Sequence, residues 1–252
     1  MYIDSADRYF IENKYHRQDE PFNPYNRFGY HGYECPTETG LNDEEMLKGL
    51  YALKEETKGQ SHALIKAKGF AYILDNMRID VNEHDYFVCL YNWGRLLDKV
   101  FIAPWKEEAL CDEDRQTIRD FDESAAADIW LDTEHFVPDL DIISSLGITG
   151  ILKKIKREHK NHSTLTNKQE EFFVAMETKY EAVIRLLDRL AKYAKENPNG
   201  KTEYVLKSLE NIRDGVPKTT LDILQLMYIV FPFDRKQGCN TLLSAQGQLI
   251  LR

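Results

Sequence analysis

The feature that most constrains the fold of this chain is a long stretch, residues 167–196, that contains neither glycine nor proline. Apolar side chains recur along it with the period of an α-helix, and they form one continuous stripe. The stripe consists of Phe172, Ala175, Met176, Tyr180, Val183, Ile184, Leu187, Leu190 and Ala191. The pattern predicts a long amphipathic helix that ends at the turn-forming residues 197–200.

Further helices are predicted on both sides of this stretch, so the fold class is mainly α. Asn42 and Glu45 have the spacing of a capping box at the start of the first helix, and a second helix is predicted over residues 61–75. Other helices are predicted over 112–122, 140–160, 202–213 and 220–230. Asp112 and Thr220 are the expected N-caps of two of them. The last helix is apolar on nearly all sides, which predicts that it is buried.

The predicted helix over 140–160 contains two glycines, Gly147 and Gly150. A glycine inside a helix costs about 1 kcal/mol relative to alanine. We therefore expect a neighbouring helix to pack closely against this one.

The chain divides into an aromatic-rich arm (1–40), a helical domain (41–231) and an atypical tail (232–252). Proline and glycine punctuate the arm, whose aromatic side chains are expected to pack on this chain or on a partner. Inside the domain, alternation at Ile79 and Val81 and a short apolar run that follows predict a strand pair near residues 78–91.

Composition excludes several classes of function. The net charge of −9 argues against a nucleic-acid partner. The strongest basic stripe is short and is interpreted as the solvated end of a helix; it consists of Lys153, Lys154, Lys156, Arg157, His159 and Lys160. The four cysteines form no closely spaced pair, so neither a zinc site nor a disulfide framework is predicted. Without an apolar run of membrane-spanning length or a signal peptide, a cytoplasmic protein is expected.

Three groups of residues are candidates for chemistry. Asp132, Glu134, His135 and Asp139 lie close together in sequence, as an acid–base or metal site would require, but the same residues also fit a capped loop entering a helix. His159 and His162 fit either a metal site or a hydrated helix end. Cys239 follows a glycine, but no base is placed beside it. From these three groups together, no catalytic residue and no metal ligand is predicted.

Four stretches, taken in order, resemble the glycyl radical enzymes of the pyruvate formate-lyase family. They are KGFAYILDNMRIDVNEHDYFVC (68–89), HFVPDLDIISSLGITGILKKIK (135–156), EEFFVAMETKYEAVIRLLDRLAKYA (170–194) and VPKTTLDILQLMYIVF (216–231). The second is similar to the family's His-x-x-Pro-Asp loop and the helix that follows it. The resemblance covers residues 45–231 and implies the helical N-terminal part of an α/β barrel.

The resemblance also implies a chemistry, namely radical C–C or C–O cleavage of a small molecule under anaerobic conditions. The family needs a glycyl radical, which a radical S-adenosylmethionine activating enzyme installs, and a thiyl-forming cysteine. The sequence contains no Arg-Val-x-Gly-Tyr motif, and its Gly238-Cys239 step lies too early for the thiyl loop. The implied reading is a truncated or divergent member that is inactive alone and binds no cofactor itself. His135 is the one residue to which the resemblance assigns substrate contact.

Two kinds of partner follow from this reading. As an enzyme part, the chain is expected to form a homodimer or to meet the activating enzyme. The alternative is a helical interaction or regulatory module that docks on a full-length relative, since an all-apolar last helix requires cover.

Overall fold

The computed structural model describes residues 37–80, 89–90, 94–124 and 140–234. Within these ranges the chain is mainly α-helical, which confirms the predicted fold class. The helices are α1 (Asp43–Glu56), α2 (His62–Asn76), α3 (Gly94–Leu97), α4 (Ala103–Ala109), α5 (Asp112–Ser124), α6 (Leu140–Asn161), α7 (Asn167–Glu196), α8 (Thr202–Asp214) and α9 (Thr220–Asp234). A 3₁₀ turn (Thr37–Thr39) precedes α1, and a π-helical segment (Asp98–Ile102) joins α3 to α4. None of the described helices is long and apolar enough to cross a membrane.

The long helix α7 is the centre of the fold, and it has the bounds that the sequence predicts. Thr166 and Gln169 form a capping box at its start. Its buried stripe, which includes Leu186, Leu187 and Leu190, packs against α2, α6 and α8. One contiguous hydrophobic core is therefore built around this helix.

Two short strands, β1 (Ile79–Asp80) and β2 (Cys89–Leu90), pair in antiparallel orientation. Ile79 lies opposite Leu90, and Asp80 lies opposite Cys89. This arrangement confirms the strand pair predicted near residues 78–91. The turn that connects the strands lies outside the described residues, as do most of the arm and of the tail.

Arg189 of α7 holds the end of α2 and the 3₁₀ turn that precedes α1. Its Nη2 donates to the carbonyl oxygens of Thr39 and Met77, at 3.0 and 2.8 Å, and its Nη1 donates to that of Leu74. Burial lowers the pKa of the guanidinium, and the charge of Asp75 partly opposes this effect. The last carbonyls of α2, which lack helical partners, thus meet a cation.

The helix starts confirm one predicted cap and correct two. Asn42 and Glu45 form the capping box at α1, with backbone-to-side-chain distances of 2.9 and 3.0 Å. At α5 the residue in the N-cap position is Cys111, not Asp112; its Sγ accepts from the backbone of Asp114 at 3.4 Å.

At α9 the cap is Thr219, not Thr220. Its Oγ1 accepts from the backbone of Asp222 at 3.2 Å, and Asp222 Oδ2 accepts from the backbone of Thr219 at 2.9 Å. Both cap predictions were one residue late because the first residue inside each helix, Asp112 or Thr220, is itself of a type that commonly caps helices. The helix ends at Asp234, beyond residue 231 where the sequence placed the end of the domain.

The continuous helix predicted over 140–160 is wrong at one point. Gly147 has φ 64° and ψ 176°, which is not helical, so two helical segments meet at a kink there. This backbone conformation is in practice open to glycine alone. Gly150 is helical, and a Cβ there would meet only Leu146, at 3.2 Å, so no neighbouring helix explains that glycine.

The sequence after Arg95 shows no clear pattern. The structure shows that the first part of this region is helical. The π-helical segment buries Val100 and Phe101 completely. A Cβ at Gly69 would lie 2.8 Å from the side chains of Leu97 and Phe101, so α2 approaches this segment closely at a glycine. The unusual helical pitch hides the period that a sequence pattern could have revealed.

Candidate functional site

The loop in which the sequence places its candidate chemistry lies outside the described residues. This applies to His135 and to the acidic residues Asp132, Glu134 and Asp139 around it, and also to Cys239. The substrate contact implied for His135 therefore stays a prediction.

The helix that follows this loop is described, and its first part is exposed. Ile142 and Leu146 lie one turn apart on α6 and leave 37% and 36% of their surfaces accessible. The side of α6 nearest the candidate loop thus presents an apolar pair to solvent among the described residues.

The kink in α6 brings together two of the stretches on which the resemblance depends. A Cβ at Gly147 would overlap the backbone carbonyl of Gly215, at the start of the Val216-Pro217 segment. Next to it, Thr149 Oγ1 donates to the carbonyl oxygen of Arg213 at the end of α8. Residues far apart in sequence therefore form one compact junction between α6 and the end of α8.

A polar layer lies between α8 and α9, directly after this junction. Asp222 is 1% exposed, and its Oδ2 accepts from the backbone of Lys218 at 2.8 Å and from Asn211 Nδ2 at 3.0 Å. One turn further along, Gln225 and Ser208 are also buried, and their side-chain polar atoms have no hydrogen-bond partner among the described residues. The layer fixes how α8 and α9 align, because a buried carboxylate is costly unless it is fully hydrogen-bonded.

His159 lies at the centre of a cluster of ionisable groups in the described part of the chain. Its Nδ1 lies 2.7 Å from Glu177 Oε1, and its Nε2 lies 3.0 Å from Glu170 Oε2. The imidazole stacks on Phe173, with 4.8 Å between the ring centroids and 5° between the ring planes. Hydrogen bonds to Glu170 and then to Glu177 raise the pKa of His159 above its ordinary value, against a smaller opposing effect of burial.

Sequence reasoning missed these partners of His159. It weighed a metal site against a hydrated helix end, and the residues that the structure describes contain no group of three or more ligands placed to hold a metal ion. The available signal was on the other helix, where Glu170, Phe173 and Glu177 recur at the spacing of one helical face.

The basic stripe is exposed at its lysines, as a solvated helix end should be. It is also partly balanced by neighbouring carboxylates. Lys156 Nζ lies 2.6 Å from Glu181 Oε1 of α7, and Arg157 Nη2 lies 3.0 Å from Glu158. The hydrogen bond that Lys156 donates to Glu181 raises the pKa of the lysine.

Comparison with known proteins gives the fold a family context. Residues 130–219 match the model of the family Pyruvate formate lyase-like. This range contains two of the four stretches named above completely and the start of a third. No curated protein matches the sequence.

Solved structures extend the likeness to most of the chain. A glycyl radical enzyme from Archaeoglobus fulgidus aligns with a TM-score of 0.57 at 16% identity, over 74% of this chain and 31% of its own. The glycerol-bound B12-independent glycerol dehydratase from Clostridium butyricum aligns at 0.50 and 15%, over 80% and 35%. A Roseburia inulinivorans protein solved in work on 1,2-propanediol dehydration aligns at 0.51 and 15%, over 76% and 30%.

These structural alignments establish the fold. The chain spans about a third of the length of the solved structures that it matches. The resemblance stated from the sequence is confirmed at this level. The chain has the fold of a helical portion of glycyl radical enzymes, and residues 130–219 form a pyruvate formate lyase-like region.

Proposed function

We propose that this chain is the helical part of a glycyl radical enzyme that cleaves a C–C or C–O bond of a small molecule by radical chemistry, and that it is inactive alone. The observation that carries the proposal is the glycyl radical enzyme fold, which includes the family-matched region 130–219. In that setting His135 would contact a hydroxyl or carboxylate of the substrate.

The radical itself does not fit this chain. No glycine of the sequence lies in an Arg-Val-x-Gly-Tyr motif. Among the described residues, the free cysteine Cys111 is exposed to solvent and hydrogen-bonded to Asp114 at a helix start, whereas a thiyl radical needs an enclosed site. We therefore assign the glycyl radical, and the activating enzyme that would install it, to polypeptide other than this chain, in the cytoplasm.

Two measurements test this proposal. Anaerobic treatment of the chain with an activating enzyme and S-adenosylmethionine should give no glycyl doublet in electron paramagnetic resonance. The DNA after the Arg252 codon, read in all three frames, should encode a Gly-Cys loop and an Arg-Val-x-Gly-Tyr motif. A doublet from this chain contradicts the assignment of the radical, and a downstream sequence unrelated to the barrel contradicts the enzyme-part proposal.

The second candidate function is a non-catalytic interaction or regulatory module that docks on a full-length relative. Exposed apolar side chains favour it, since Phe172 and Tyr204 leave 54% and 53% of their surfaces accessible. This candidate predicts that the purified chain binds a full-length glycyl radical enzyme in size-exclusion chromatography, and that Phe172→Ser weakens the complex. Failure to bind in that assay removes it.

A further inference from the structure

The second half of α6 is held to the rest of the fold at two ends. At residue 147 the kink separates it from the exposed first half, and Thr149 bonds to the end of α8. In between, Ile148, Ile151 and Leu152 are buried. At the far end, Lys156 and His159 face carboxylates in the first half of α7, namely Glu181, Glu170 and Glu177.

Three side chains of α7 form a cradle that matches one protonation state of His159. A neutral imidazole has one N–H and can donate to one carboxylate, whereas an imidazolium donates from both nitrogens. Glu170 and Glu177 each offer an oxygen to a different nitrogen, at 3.0 and 2.7 Å. Phe173, between them, presents its face to the ring, a contact that is more favourable for a cation.

From this geometry we infer that the cradle of Glu170, Phe173 and Glu177 is a proton-operated latch, which closes the end of α6 onto α7 when His159 is protonated and weakens when it is neutral. When the proton leaves, one of the two carboxylates faces a nitrogen lone pair instead of an N–H. Two acceptors then oppose one another in a site where the histidine side chain is only 20% exposed.

Other charged groups near the latch make different contacts. On α6, Lys156 is paired with Glu181, Arg157 with Glu158, and Lys160 is exposed. His162 also lies beside Phe173, at 5.9 Å, but its Nδ1 bonds to the carbonyl of Glu158 rather than to a carboxylate. The helix α8 meets α6 at the opposite end, near Thr149.

The sign of the pH effect follows from the raised pKa of His159 in the fold. The latch is closed below the ordinary histidine pKa of 6.5 and opens as the pH rises through the higher value in the folded chain. Each unit of elevation makes opening tenfold less frequent at the acidic end of this range.

The test is amide hydrogen exchange of the full chain between about pH 5.5 and 9, with protection expressed relative to the intrinsic rates, together with an NMR titration of the imidazoles. Protection of residues 148–161 should fall as the pH rises, and the fall should track the titration of His159. In a Glu170→Gln, Glu177→Gln double variant, His159 should titrate at a lower pH, and the change in protection should shrink. His159→Phe keeps the ring stack and should remove the change.

Glu181→Gln is the matched control, because it breaks the Lys156 pair one turn away and leaves the cradle whole. It should keep the pH dependence of the parent chain. The latch is overturned if His159 titrates at or below 6.5, if protection of 148–161 does not change with pH, or if His159→Phe retains the change. None of these outcomes depends on radical chemistry, so failure of the latch and failure of the proposed function are separable.

Discussion

At the scale of single residues, alanine substitutions at the two glycines of α6 should have opposite effects on stability, although these glycines lie one turn apart. Gly147 has a positive φ, and a Cβ there would overlap the Gly215 carbonyl, so Gly147→Ala should lower the free energy of unfolding by about 3 kcal/mol or more. Gly150 is helical, so Gly150→Ala should raise the stability by up to about 1 kcal/mol. Urea denaturation of both variants measures the difference. Equal effects at the two positions would contradict the assigned backbone conformation at residue 147.

Residue-scale features were predictable where the partner lies within one helical turn. The capping box of Asn42 and Glu45 is such a case, because both members are three residues apart in sequence. The role of Gly147 was not predictable, because the backbone carbonyl that excludes a side chain there belongs to Gly215. The carboxylates around His159 were missed for the same reason, as they approach from another helix.

At the scale of elements, Arg189 joins α7 to the end of α2 and to the 3₁₀ turn at Thr39. Its guanidinium donates hydrogen bonds to three backbone carbonyls. A lysine cannot match this geometry, and a methionine cannot donate a hydrogen bond at all. Arg189→Met should reduce the free energy of unfolding by about 2–4 kcal/mol, and Arg189→Lys should recover only part of that loss. The control Arg157→Met, at an exposed ion pair, should change it by less than about 0.5 kcal/mol. Thermal and urea unfolding check both; equal losses at 157 and 189 would contradict the proposed clamp.

The predictability of an element depended on its regularity. Helix α7 was predicted with the correct bounds because its stripe repeats over many turns and its caps are local. The strand pair was predicted from alternation over a few residues. The π-helical segment was not, because Val100 and Phe101 take their positions from packing against Gly69. Of the candidate site, the resemblance predicts a substrate contact for His135, which lies outside the described residues and stays a prediction.

At the scale of the whole molecule, the chain aligns with about a third of the solved glycyl radical enzymes but closes a core of its own. That core includes side chains from α1, α2, α3, the π-helical segment and α6 to α9. The remaining polypeptide of an enzyme of this fold is therefore not required to cover the side chains of α7 that lie at the centre.

A single core predicts a single unfolding transition for the 252-residue chain. Circular dichroism at 222 nm and tryptophan fluorescence should give the same midpoint in urea, because loss of α7 packing exposes every helix attached to it. Leu187→Ala, at a side chain 1% exposed, should lower the midpoint of both probes equally, by the equivalent of about 2–5 kcal/mol. Phe172→Ala, at a side chain 54% exposed, should leave both within about 0.5 kcal/mol of the parent. If the two probes separate, or if Leu187→Ala moves only one of them, the helices belong to more than one folding unit, and the rest of the enzyme is needed to join them.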